Sequence, residues 1–394
     1  MSIKTEGWPF HDDDERQAVN DVLLSGCTNY WTGTQCIAFE KEFAAYIGTK
    51  HAIALMNGTV ALEAALVALN IGPGDEVITS CRTFIASASC IVMRGAKPVL
   101  ADVDLESQNI TADTIASCIT NRTKAIIVVH LAGWPADMPA ILALAKKHHL
   151  KIIEDCAQAH GASIQNRMVG SWGDVAAFSF CQDKIMTTGG EGGMVTTNDS
   201  AIFEKIRSYK DHGKNYQKIN QTPASSGFKW VHDFFGTNWR MTEIQAAIGR
   251  IQLRKLSDWL QTRNRHAKIL NERFQSIPGL RVTLPPPHIY HAYYKYYVFI
   301  EPNLLKKDWH RNRIIQALQT NHIACYSGIC SEIYHENAFL EVYPNALERK
   351  ANARALGETS LMFLVHPTLK EHDIVETGQA LINVMSYAAV SVHA

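Results

Sequence analysis

The sequence predicts an α/β protein, with a large N-terminal domain built on a mostly parallel sheet and a smaller C-terminal α+β domain. Three observations carry this. Short apolar runs alternate with helical patterns through the first two-thirds of the chain, which is the rhythm of strands joined by helical crossovers. The runs are apolar at consecutive positions, as strands covered on both faces must be. The final third changes character: a turn, LPPPH at 284, leads into YYKYYVFI, and a helical stretch follows His366-Pro367.

Taken in order, AIAL at 52 reads as the first strand and VALEAALVAL as its helix. EVITS at 76 is followed by IASASCIVM, then KPVLADVD, then AIIVVH at 125 with the helix-like MPAILALAKKH. KIIED at 151, VAAFSF at 175 and GGMVTT at 192 complete the set. From about Arg240 to Leu270 the pattern is helical, with Ile244, Ile248, Ile251 and Leu256 near one face. This segment reads as a bridge between residues 1–250, the large domain, and residues 251–394, the smaller one. The tyrosine-rich YYKYYVF reads most simply as a strand with both faces covered, with a nucleobase platform as the weaker alternative.

A chain of 394 residues with 46% hydrophobic content can bury cores for two domains. Lys and Arg total 38, as do Asp and Glu, and the basic residues are scattered, so the field expected of a nucleic-acid binder is missing. No apolar run approaches membrane-spanning length. The opening stretch MSIKTEGWPFHDDDERQ carries acidic residues where a signal peptide needs an apolar segment. The expected location is the cytoplasm. Nine cysteines without a C-x-x-C pair suggest neither a disulfide framework nor a zinc ribbon, and no metal is expected.

Polar residues bunch where strands end: Asn57, Gly58 and Thr59 after the first, His130 after AIIVVH, Asp155 and Gln158 after KIIED. In open α/β sheets ligands sit beyond the carboxyl ends of strands, so these positions are expected to converge. Asn57-Gly58-Thr59 joins a strand to a helix, which makes either an anion site suited to phosphate or a simple helix cap at Thr59. GGEGG at 189 lacks the G-x-G-x-x-G spacing and no G-x-x-x-x-G-K-[ST] occurs, so the familiar nucleotide loops are excluded. Asp155, at the end of an apolar strand, needs a cationic partner. Lys184, in AFSFCQDKIMTTGGEGGMV, could form a plain salt bridge with it. Alternatively the two could hold opposite ends of one ring, which are the needs of pyridoxal phosphate.

The stretches WTG at 31, NGTVALEAAL, GDEVIT with TFIASA, EDCAQAHGA, FSF..DK..TTGGEGGMV and FGTNWRMTEIQAAIG resemble, in that order, the DegT/DnrJ/EryC1/StrS family. These are pyridoxal-phosphate aminotransferases of fold type I acting on nucleotide-linked sugars. The resemblance implies that Lys184 joins the cofactor covalently and later moves a proton, and that Asp155 keeps the pyridine nitrogen protonated. Gln158 is implied to bond the phenolic oxygen, Phe84 to stack on the ring, and Gly58, Thr59 and Ser179 to grip the phosphate. Asn238 is implied to reach the phosphate of the neighbouring subunit, so a homodimer with shared sites is expected. The glycines between 189 and 193 are then expected to let the chain turn beside the cofactor, where a Cβ would collide with it. Read singly, Phe84 would be a core aromatic, Ser179 a buried hydroxyl and Asn238 a turn residue; the linked motifs raise them. The implied reaction carries an amino group from an amino acid, glutamate being expected, to a dTDP- or UDP-4-keto-6-deoxyhexose for surface polysaccharide. Cys181-Gln182-Asp183 replace the His-Pro-x that often precedes this lysine, and the glycine turn is one residue longer. The wall beside Lys184 is therefore expected to be remodelled. Branches with histidine in place of this lysine are dehydratases, and Lys184 points away from them. His212 and His335 stay outside the catalytic set.

Overall fold

A computed structural model describes residues 7–221, 230–343 and 348–390. Its strands begin with β1 (His51–Leu55), β2 (Glu76–Ser80), β3 (Lys97–Ala101), β4 (Thr123–Val129) and β5 (Lys151–Asp155). They continue with the short β6 (Ser163–Ile164) and β7 (Arg167–Met168), then β8 (Val175–Ser179) and β9 (Gly193–Thr197). Seven of these form one sheet in the order β1-β9-β8-β5-β4-β2-β3. Its ladders are parallel except those of β9, which runs against both β8 and β1. The expected mostly parallel sheet is present, and every apolar run named above supplies one of its strands.

Helices cover both faces, which is why the strands carry apolar residues at consecutive positions. On one side the helix Gln35–Ile47 packs Phe39 and Phe43 against Phe178 and Phe180. On the other, the helix Gly58–Ala68 sets Leu62 and Leu66 into a core with Ile53, Ile127 and Val195.

The remaining strands are β10 (Leu280–Arg281), β11 (Ile289–Tyr290), β12 (Tyr296–Ile300), β13 (Cys325–Tyr326) and β14 (Ser360–Phe363). An antiparallel sheet in the order β10-β12-β14-β13 packs on the helix Glu371–Ala388 through Val298, Phe363, Leu381 and Met385. YYKYYVF does form a strand there, fully buried over Tyr296–Ile300. Strand β11 leaves this region to pair with β6, beside β7.

The helix expected between Arg240 and Leu270 runs from Glu243 to Phe274, and Thr242 and Gln245 cap its start in a reciprocal box. Residue 250 lies inside it. Its first half packs Ala246, Leu256 and Leu260 with Phe39, whereas Ala267, Leu270 and Phe274 join the antiparallel sheet. No helix among the described residues is long and apolar enough to cross a membrane.

Candidate active site

Strand register assembles the site. Gly193 pairs with Leu55 on one side and with Ser179 on the other, so the end of β1 and the end of β8 lie within two strands of each other. Asp155 closes β5 opposite Ala177 of β8. Beyond these ends opens a cavity of about 860 Å³, within the usual range for small-molecule sites, ~300–1,000 Å³. Gly58, Thr59, Phe84, Asp155, Gln158 and Ser179 all line it, as does Lys184. Seven of the eight residues to which the family resemblance gives a role therefore line one cavity.

At the start of the helix Gly58–Ala68 the cap is Asn57, whose Oδ1 accepts the Val60 amide at 3.0 Å. Thr59 is thus not the cap, and its hydroxyl is left to the cavity. A Cβ on Gly58 would lie 2.6 Å from the Ser179 Cβ, so only glycine lets this helix start sit directly on the end of β8. The uncapped amides of this helix start lie beside the Ser179 hydroxyl at the cavity, and uncapped amides at a helix N-terminus are able to meet an anion.

Asp155 is 6% exposed. Its Oδ2 accepts the Ser87 hydroxyl at 2.7 Å and its Oδ1 the Ala157 amide at 3.1 Å. Burial pushes its pKa up, while those two hydrogen bonds and the charges of Lys184 and His130 pull it down. Among the described residues it has no ion pair. Gln158 anchors its Oε1 on the Ala132 amide at 2.8 Å; because that donor is a backbone N–H, the side-chain NH₂ is the end left to donate. Phe84 keeps 61% of its surface exposed at the cavity wall.

Lys184 sits in the turn after β8. Its backbone oxygen accepts the Trp8 indole N–H at 2.9 Å, and its ammonium lies 4.9 Å from the centroid of the Tyr294 ring. Asn238 is exposed and is not among the residues lining the cavity of its own chain.

One expectation needs correction. His130 does not converge with the others: fully buried, it sets Nε2 3.1 Å from Glu154 and takes the Ala136 amide on Nδ1. Glu154 itself is saturated by the amides of Gly170, Trp172 and Gly173, which makes this cluster a structural clamp behind β5. The sharp turn expected of the glycines between 189 and 193 is present and has causes within the chain itself. Gly189 and Gly190 adopt φ of 87° and 123°, and at Gly193 a side chain would strike the backbone of Asn57. His212 and His335 lie outside the cavity, as expected.

Several cavity residues carry no local signal in the sequence. Trp8, Tyr294, Lys295 and His366 arrive from distant segments, and Trp8 reaches Lys184 across 176 positions. Ser87 was findable in principle, since it lies one helical turn after Thr83 in TFIAS and shares a hydrogen bond with it at 2.9 Å.

This sheet, with a lysine and a buried aspartate on one cavity, defines the class: an aminotransferase of fold type I, a group of pyridoxal-phosphate-dependent enzymes. The model of the DegT/DnrJ/EryC1/StrS aminotransferase family matches residues 9–381, and the chain belongs to that family. It is 38% identical to a GDP-perosamine synthase of Caulobacter vibrioides, with 96% of this chain and 97% of that protein aligned. It is 41% identical to a UDP-N-acetyl-3-dehydro-alpha-D-glucosamine 3-aminotransferase of Acidithiobacillus ferrooxidans, over 92% and 94% of the two chains. An aminotransferase structure from Psychrobacter cryohalolentis superposes with a TM-score of 0.94 at 50% identity, covering 97% of this chain and 98% of that one.

Proposed function

We propose that this protein binds pyridoxal 5'-phosphate and transfers an amino group from L-glutamate to the keto carbon of a nucleotide-linked sugar. The observation that carries the proposal is that Asp155 and Lys184 open onto one cavity bordered by Gly58, Thr59 and Ser179. The residues fit the cofactor. Asp155 is a buried carboxylate without an ion pair among the described residues, the helix start at Gly58 and Thr59 borders the cavity with amides that could meet a phosphate, and the Gln158 NH₂ is a spare donor.

When bound, pyridoxal phosphate supplies a cationic ring that withdraws electrons from the carbon carrying the amine. Asp155 would hold the ring nitrogen protonated, and Ser87 and the Ala157 amide would fix the orientation of that carboxylate. Gln158 would donate to the phenolic oxygen, and Phe84 would cover one ring face. Lys184 would anchor the cofactor and move the proton at the substrate carbon. Asn238 of the partner subunit would complete the phosphate site, making a homodimer the working unit.

The acceptor we infer is a 4-keto-6-deoxyhexose on dTDP or UDP, its product an amino sugar for surface polysaccharide. The names of the relatives support a sugar nucleotide as the substrate class. The test is incubation with L-glutamate: 2-oxoglutarate is expected to accumulate only when a keto-sugar nucleotide is present. Lys184→Ala should lose both this turnover and the visible absorption band of the loaded enzyme. Steady 2-oxoglutarate formation without any sugar, or a wild-type protein that never acquires the band, would overturn the proposal.

A further inference from the structure

Lys295 stands in the wall of the same cavity, on the turn entering β12, and none of the roles above uses it. Its side chain is 18% exposed and its ammonium lies 3.6 Å from Asp183 Oδ2 and 4.7 Å from the centroid of the Tyr294 ring. Lys184 approaches that ring at 4.9 Å. Two ammonium groups thus gather at one aromatic ring beside one carboxylate, and that carboxylate also accepts the Tyr294 hydroxyl. The pairing of Lys295 is loose: by comparison Lys151 and Asp174, a lysine–aspartate pair nearer solvent, close to 2.7 Å. A confined ammonium held at this distance keeps most of its hydrogen-bonding capacity unused, and burial makes such a cation costly until a better anion arrives. Asp183 is 55% exposed, so it has room to withdraw.

We propose that Lys295 is a specificity-determining cation: an oxyanion of the incoming substrate takes over its ammonium from Asp183. No covalent bond changes; one ion pair is exchanged for another. Two sources carry the right chemistry, the carboxylate of the amino donor and the diphosphate of the sugar nucleotide, and a lysine meets either as a point charge. The proposal rests on the aminotransferase function above for the identity of those substrates. The helix start at Gly58 is a separate candidate anion site on other elements, so the cofactor phosphate does not account for Lys295.

The experiment uses the cofactor-loaded enzyme and two unreactive probes, glutarate for the donor and UDP for the acceptor, titrated calorimetrically. Lys295→Met is expected to weaken one probe by about tenfold or more, the size of one lost charge-assisted contact, with the visible band retained. A matching rise in KM for the corresponding substrate, with kcat little changed, is expected too, and Lys295→Arg should recover most of it. Loss toward glutarate assigns the donor carboxylate; loss toward UDP assigns the diphosphate. Unchanged affinity for both probes, or a fall in kcat at constant KM, overturns the proposal. Asp183→Asn removes the competitor and should tighten the same probe; if it does not, the exchange is refuted even should Lys295→Met fail to load cofactor. A wild-type enzyme that aminates no keto-sugar nucleotide would overturn the proposed function alone, because the probe affinities judge Lys295 without turnover.

Discussion

Asp155 is a residue at which the empty fold and the chemistry want different things. Burial raises its pKa above the ordinary carboxylate value, with Ser87, Ala157, Lys184 and His130 opposing. A carboxyl with a raised folded pKa contributes stability that is fully present below its unfolded pKa and is lost as pH climbs through the folded one. The cofactor-free protein should therefore lose stability as pH rises out of the carboxylate range. Asp155→Asn keeps groups able to meet Ser87 and Ala157 but cannot ionise. At pH 8 the cofactor-free variant should be more stable than the cofactor-free wild type, because only the wild type bears the cost of ionising a buried carboxyl as pH rises. Its turnover should fall by about a hundredfold or more, as when one preorganised electrostatic partner is removed. Denaturant melts of both empty proteins at pH 5 and pH 8 check the first part; a variant that is less stable at pH 8 would refute it.

Among the elements, the helix Gly58–Ala68 and strand β8 share one core and are fitted most demandingly where Gly58 meets Ser179. The Cβ of Gly58→Ala would fall 2.6 Å from the Ser179 Cβ, an atom fixed to the strand backbone, so the helix start must move and its amides with it. We expect a folded protein whose affinity for pyridoxal phosphate drops by about tenfold or more, read by titrating cofactor into the empty variant. Unchanged affinity would separate this helix start from the phosphate. What the sequence made legible at this scale follows from physics. KIIED and VAAFSF are strands covered on both faces, so their centres had to be apolar, and the polar residues at or near their ends stand out. His130 ends a run in the same way and yet turns inward to Glu154, because a strand end fixes where a residue sits but not which way its side chain faces. Lys295 and Trp8 were illegible for a different reason: their place in the wall is set by long-range packing that leaves no mark on their neighbours. The long helix was visible by its period, whereas its change of partners between Leu260 and Ala267 needs the tertiary structure.

At the scale of the whole molecule, three aromatic side chains stand exposed: Phe84, at the cavity wall, by 61%, Trp230 by 83% and Phe235 by 100%. Asn238, close in sequence to the last two, is exposed and outside its own cavity. If two copies share sites, Asn238 serves the partner, and a mixing experiment decides it. Lys184→Ala chains lack the reacting amine, and Asn238→Ala chains lack the shared phosphate contact. In a hybrid of the two, one site combines both lesions, while the other has Lys184 from one chain and Asn238 from the other, and is whole. Random pairing makes half the dimers hybrid, so the mixture should recover about one quarter of wild-type sites, at cofactor concentrations that leave the Asn238→Ala homodimer empty. Were Asn238 to act within its own chain, each hybrid site would carry one lesion, and mixing would yield no more activity than the average of the two parents.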